Sequence, residues 1–243
     1  MNKIFNNVIL VGLGDTHNLN ILPIMQAGLP DNISNLVIIA AGDCAEGFHH
    51  SLKERSVLRK LYTHLRNINS YLIVCRGNHS NPGFFHENHW ANTEFNDRIY
   101  FAPDYSTFIV NEKSIQLIGG GISIDRSERI LGRSYWLDEE VKFEPNRVEK
   151  VDILISHVAP TNAGLRKAEA NTNVMYYHGV EAMQGGDLLG DLANEQNIMQ
   201  EISDLSECRE HYFGHYHVSH FYIDPANGRK YIGLNINEFR EIK

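Results

Sequence analysis

Leu36-Val37-Ile38-Ile39-Ala40-Ala41-Gly42-Asp43-Cys44-Ala45-Glu46 is the stretch on which the architecture turns. Its first five residues are apolar, mostly β-branched and of strand length, as expected for a strand buried on both faces. Gly42 then permits a tight turn and delivers Asp43 to the C-terminal end of the strand, where open α/β sheets bind their ligands. The pattern repeats on either side. Upstream, the apolar run 8–11 leads into Asp15-Thr16-His17; downstream, Tyr71–Val74 leads into Arg76-Gly77-Asn78-His79. Between them, Leu58, Leu61, Tyr62 and Leu65 fall at the i, i+3, i+4, i+7 positions of one helix face. Ser51 with Glu54 reads as a capping box at its start. The order strand, helix, strand, helix, strand favours a sheet with helices on its faces.

The second half is richer in strands: 99–102, 107–111, 114–119, 151–155 and 211–213, then 218–223 and 230–234 around a turn at 225–228. A helical pattern over 193–205 places Ile198, Ile202 and Leu205 on one side. Two mixed sheets packed face to face with helices outside accommodate both halves, so the expected class is α/β, with residues 1–243 as one domain. Residues 160–192 are rich in Ala, Asn and Gly without a steady period. They read as a long irregular connection, and such connections usually do something; here the expected task is substrate selection.

Bulk properties narrow the partners. The chain of 243 residues has a net charge of −8, which argues against a broadly basic surface for nucleic acid. Cys44, Cys75 and Cys208 are too few and scattered for a disulfide framework or a thiolate zinc site, and fit a reducing compartment. No apolar stretch approaches membrane-spanning length and no cleavage-site pattern is present, so the expected location is the cytoplasm. The unusual count is 13 histidines, several of them beside Asp, Asn or Gly at the ends of apolar runs.

Those positions carry the chemistry. In extended backbone, residues i and i+2 point the same way, so Asp15 and His17 can converge on one cation. Asp43 has two carboxylate oxygens and can bridge two metals. Asn78 offers a neutral oxygen ligand, His79 a proton donor near neutral pH, and Arg76 a fork that matches phosphate oxygens. Ser156-His157 ends another strand, and Gly214-His215-Tyr216-His217 supplies two imidazoles at i, i+2 spacing. Singly, each motif has an ordinary explanation as a cap, a turn or packing. Five in order, each after a strand, are hard to obtain by coincidence.

The order D-x-H, G-D-x-x-E, G-N-H, H, G-H-x-H resembles the calcineurin-like metallophosphoesterase family, which includes purple acid phosphatases, phage Ser/Thr protein phosphatases and DNA-repair nucleases. The likeness spans residues 15–217 and implies a four-layer α/β/β/α sandwich. Position by position, it implies that Asp15, His17, Asp43 and His217 hold one divalent metal. Asp43, Asn78, His157 and His215 would hold the second. His79 would protonate the leaving group, Glu46 would orient His79, and Arg76 would grip the phosphate. Two positions depart from the pattern. Ser80 stands where the family usually has Asp or Glu, and Gly47 where the protein-phosphatase branch has arginine.

Two divalent cations, less the charges of Asp15, Asp43 and a bridging hydroxide, leave the centre at roughly +1, able to attract a phosphate. The implied activity is metal-dependent hydrolysis of phosphate esters, with in-line attack by that hydroxide. Mixed oxygen and nitrogen ligands without sulfur suit Mn²⁺, with Fe, Zn²⁺ or Ni²⁺ as alternatives. The substrate class stays open among small molecules, nucleotides and phosphoproteins. Arg126 and Arg129, in or just after the glycine-rich run 119–126, are candidate substrate contacts, although surface ion pairs are the somewhat commoner use for them. Trp90, Trp136 and the pair Tyr176 and Tyr177 could stack an aromatic group or simply pack. A phosphodiesterase or nuclease is the alternative reading, and a non-catalytic scaffold is a third.

Overall fold

Side chains alternate between the two faces of a strand, and in this chain both faces are apolar because each meets a different layer. The computed structural model describes residues 3–243. In chain order the elements are β1 (Lys3–Phe5), β2 (Ile9–Leu13), α1 (Ile21–Gly28), β3 (Leu36–Ala40), α2 (Ser51–Asn67), β4 (Tyr71–Val74), α3 (Trp90–Glu94), β5 (Ile99–Phe101), β6 (Thr107–Val110), β7 (Lys113–Ile118) and β8 (Ile153–Ser156). There follow α4 (Thr172–Ala182), α5 (Leu188–Leu205), β9 (Glu210–Phe213), β10 (His220–Ile223), β11 (Lys230–Gly233) and β12 (Phe239–Glu241).

One sheet runs β12-β2-β3-β4-β5, parallel from β2 to β5. The other runs β1-β6-β7-β8-β9-β11-β10, parallel from β7 through β11. Leu36, Ile38 and Ala40 of β3 face Leu58, Leu61 and Leu65 of α2 together with Ile21 and Met25 of α1. Val37 and Ile39 face the opposite way, onto Ile115, Leu117, Ile153 and Ile155 of the second sheet. Met199 and Ile202 of α5 cover the far side of that sheet against Ile118 and Leu154. The order is helix, sheet, sheet, helix, as expected. Each fully buried Leu or Ile contributes about 1.5–3 kcal/mol, so a charged residue at Ile39 would disrupt the layer between the sheets.

Two local expectations are corrected. Residues 160–192 are not an irregular loop: α4 occupies 172–182, and α5 begins at Leu188, five residues ahead of the expected start at 193. The apolar period of α4 is faint because only Val174 and Glu181 on it are buried. The capping box also fails. The N-cap of α2 is His50, whose side chain accepts from the Leu52 N–H, while Glu54 reaches back to the N–H groups of Gly47 and His49.

Candidate dinuclear metal site

Parallel strands end on one side, so the turns after β2, β3 and β4 meet those after β8 and β9 at a common edge of the two sheets. The meeting is tight. A Cβ on Gly77 would lie 2.1 Å from Asp43 Oδ1, and one on Gly214 2.2 Å from Asp15 Oδ1. The ligand turns also hold non-glycine residues in the left-handed region: His17 at φ 45°, Asp43 at 48°, His215 at 66° and His217 at 52°. Such backbone costs on the order of 1–3 kcal/mol per residue and persists where the surroundings enforce it, commonly at functional sites.

The structure brings all seven expected ligands together. Asp15, Asp43, Asn78 and His157 are buried. His217 Nε2 lies 3.2 Å from Asp15 Oδ2 and 2.9 Å from His17 Nε2. His17 Nδ1 is 3.8 Å from Asp43 Oδ2. On the other side of Asp43, His157 Nε2 is 3.3 Å from Oδ1 and 2.9 Å from Asn78 Oδ1. His215 Nδ1 closes that group at 3.0 Å from Asn78 Oδ1 and 3.1 Å from His157 Nε2. Asp43 therefore joins two clusters, as a bridging carboxylate would.

The donor set fits cations. His157 Nδ1 donates to the Ala41 carbonyl at 2.8 Å, so in the neutral ring Nε2 turns its lone pair toward Asn78 Oδ1, Asp43 Oδ1 and His215 Nδ1. Acceptors crowded in this way need a positive charge among them, which a proton on His157 or a bound cation supplies. Asp15 Oδ1 is buried without any hydrogen-bond partner, a costly state that a bound cation removes. Three overlapping triads, Asp15/His17/His217, His17/Asp43/His79 and Asp15/Asp43/His157, each keep their donor atoms within 4.8 Å. The electrostatics agree. Burial pushes the Asp43 carboxyl up, but His157, His79 and His17 outweigh it and hold the group well below the usual carboxylate range. Burial opposes charge on His157, yet Asp43 and Asp15 lift it to about 9. Burial beside His157 drops His215 to about 3.

His79 lies next to His17, ring centroids 4.9 Å apart, and its backbone N–H donates to Asp43 Oδ1 at 2.7 Å. Arg129 Nη2 sits 2.8 Å from His79 Nε2, while its Nε donates to Asp125. Burial lowers the pKa of His79, Asp43 opposes that, and Arg129 adds to the lowering. Phe48 lies 6.1 Å from the His79 ring at 25°, with Trp136 edge-on to Phe48.

Two catalytic expectations are corrected. Arg76 is not presented to a phosphate: it is 3% exposed, forks onto Asp104, and donates to the carbonyls of Asp138, Glu139 and Glu140. Its geometry suits a carboxylate and a loop backbone, so it pegs the loop. Glu46 makes no hydrogen bond to His79. Both of its oxygens are buried without a partner, and burial pushes its carboxyl up to about 8. Arg126 binds Glu181 and Asp191 and so ties its loop to α4 and α5. Trp90 packs on the core beneath Arg55. The Tyr176 and Tyr177 rings pack edge-on against each other on α4, with Tyr176 exposed.

Three contributors carry no signal in the sequence. Phe48 borders His79, Ser123 accepts from Asn78 Nδ2, and Glu139 accepts from Ser123. Their partners lie 31, 45 and 16 positions away, and no spacing rule connects them.

A family model described as calcineurin-like phosphoesterase matches residues 10–219. No curated protein matches the chain. Among solved structures, a cold-active protein-tyrosine phosphatase of a psychrophilic Shewanella species is 14% identical, covers 97% of this chain and 73% of its own, and superposes with a TM-score of 0.36. A point mutant of a cold-active protein tyrosine phosphatase gives 14% identity, the same coverage and a TM-score of 0.35. These superpositions are too loose to bear on the site or its substrate. The family match takes in every turn that carries a candidate ligand, and the chain belongs to the calcineurin-like phosphoesterase family.

Proposed function

We propose that this protein hydrolyses phosphate esters at a dinuclear centre. The observation that supports this best is the convergence of six donor residues around Asp43, with the buried oxygen of Asp15 left without a partner. Asp15, His17, Asp43 and His217 would hold one ion, and Asp43, Asn78, His157 and His215 the other. Two divalent ions, when bound, supply an acidified water as nucleophile and positive charge against the phosphate oxygens.

The rest falls to the chain's own groups. Asp15 and Asp43 reduce the charge of the centre, so that phosphate is attracted and product still leaves. Arg129, the arginine placed beside His79, replaces Arg76 as the phosphate contact; its guanidinium turns its donors from the imidazole to phosphate oxygens. His79 Nε2 is then free to carry the proton that the departing oxygen takes. Phe48 and Trp136 shield that proton from water. The same reading takes the chain as one phosphoesterase domain, since both sheets contribute ligands, and takes Mn²⁺ as the first ion to test.

A synthetic phosphomonoester, a phosphodiester and single-stranded DNA, each assayed with Mn²⁺ and with Ni²⁺, test the proposal. The monoester should be cleaved fastest, and chelation should abolish the rate. Preferential cleavage of the diester or the DNA would move the assignment to the phosphodiesterase or nuclease reading. No cleavage of any of the three, with two ions bound, would overturn it.

A further inference from the structure

Asn78 can serve a cation only through Oδ1. A primary amide is nearly symmetric in shape, and a rotation of 180° would put two N–H donors where the oxygen should be. Something must choose. Oδ1 lies 2.9 Å from His157 Nε2 and 3.0 Å from His215 Nδ1; with a cation bound, both ring nitrogens turn a lone pair to it, and neither holds the amide oxygen by a hydrogen bond. The choice is made on the other side of the amide. Asn78 Nδ2 lies 3.1 Å from Ser123 Oγ, Ser123 Oγ lies 2.9 Å from Glu139 Oε2, and the Ser123 N–H donates to Glu139 Oε1 at 2.7 Å.

This chain has a direction. Burial pushes the Glu139 carboxyl up to about 7; above that pH it is ionised and only accepts, so Glu139 takes the hydroxyl proton of Ser123. The serine oxygen is then left to accept, and Asn78 must offer Nδ2. Bonding to the Ser123 N–H as well fixes the carboxylate so that Oε2 stays on the hydroxyl. Ser123 is fully buried and Glu139 is 1% exposed, so water does not compete. Arg76 and Glu195 hold the loop that carries both residues. Arg76 binds the Glu139 carbonyl, and Glu195 binds the N–H groups of Ile122 and Val141.

We propose that Ser123 and Glu139 are positioning residues that orient the Asn78 amide and thereby set the affinity of the second metal position, while leaving the first unchanged. The inference rests on the reading of Asn78 as a metal ligand. Groups that support a metal ligand from behind commonly govern affinity by about 10–100-fold.

Titration of the metal-free chain with Mn²⁺, followed by calorimetry, tests this in Asn78→Ala, Ser123→Ala, Ser123→Thr and Glu139→Gln. Wild type should bind two ions. Asn78→Ala should lose the second. Ser123→Ala should keep the first affinity and weaken the second by about 10–100-fold. Ser123→Thr, which keeps the hydroxyl, should restore it. Glu139→Gln, with one acceptor oxygen for two donors, should fall between, and it carries the test should Ser123→Ala fail to fold. The side-chain amide ¹⁵N–¹H₂ resonances of Asn78 should shift in metal-free Ser123→Ala and not in Ser123→Thr. Wild-type affinity at both positions in Ser123→Ala and Glu139→Gln, with Asn78→Ala impaired, would overturn the relay alone. Two wild-type affinities in Asn78→Ala would overturn the ligand assignment, and the relay with it.

Discussion

The floor of the site, formed by the turns after β2, β3, β4, β8 and β9, takes its geometry from two sheets. The rim above it, residues 119–140, contains no strand or α-helix and is held by side chains instead. On the floor, backbone is forced into left-handed conformations and glycines let carboxylates pass within contact distance. On the rim, Arg76 ties down the carbonyls of residues 138–140, Arg126 ties the loop to α4 and α5, and Arg129 reaches His79. A floor residue therefore acts on several neighbours at once, whereas a rim contact can be removed singly. Perturbations should accordingly grade from complete loss at the floor to separable effects at the rim.

Asp43→Asn is the most severe test. Asparagine tolerates left-handed backbone, so the turn at φ 48° should survive while the bridging charge disappears. Hydrolysis should fall by about 10⁴-fold or more, because several kcal/mol of charge stabilisation are lost, and elemental analysis should find fewer than two ions per chain. A variant with two bound ions and normal turnover would end the distinction between floor and rim.

His79→Ala comes next, with kcat lower by about 10²–10⁴-fold and the metal content intact. The loss should depend on the ester. An alkyl phosphate, whose leaving oxygen needs a proton, should suffer far more than p-nitrophenyl phosphate. Equal losses for both would remove His79 from the role of acid.

The two arginines separate the regions most cleanly. Arg76→Ala strands Asp104 and frees the 138–140 backbone. Breaking a buried pair costs about 3–5 kcal/mol, or roughly 10 °C in Tm for a chain of this size. Arg129→Ala should leave Tm almost unchanged and lower kcat/KM by about 10–100-fold, the effect of losing a charge-assisted contact of about 1.5–3 kcal/mol. The reverse pattern, a stable Arg76→Ala with weakened substrate binding, would restore Arg76 as the phosphate contact.

That contrast shows what could be read from the chain alone. The convergence at the floor is legible because its candidate ligands each follow a strand and a turn, although His17, His215 and His217 reach it through left-handed rather than extended backbone. The layers followed from the apolar runs for the same reason. Arg76 looked like a phosphate contact because it sits inside a motif, yet nothing local reveals that Asp104 and three carbonyls claim its donors. Arg129 reads in the sequence slightly more as a surface ion pair than as a substrate contact, since its approach to His79 is made by tertiary folding. Ser123 and Glu139 were invisible: a serine in a glycine-rich run and a glutamate in an acidic stretch gain meaning only when the loop closes over Asn78. The helix α4 was missed because a helix that buries two residues has almost no apolar period.

Glu46 belongs to the floor by sequence but contributes in the opposite sense, and its effect should be the smallest. Burial raises its carboxyl from an ordinary value of 4.5 to about 8. Between those pH values the folded chain keeps a proton that the unfolded chain has released, so stability falls as pH rises across the interval and levels off above it. Glu46→Gln carries no such proton and should lose that part of the slope. In the metal-free protein the variant should melt on the order of 5 °C above wild type at pH 9, and the gap should close toward pH 5. Melting curves of both proteins across that range decide it. If the two curves run parallel, Glu46 is ionised in the fold and the Ser80 hydroxyl beside it outweighs burial. If they converge at low pH, the floor carries a buried acid that is protonated at neutrality.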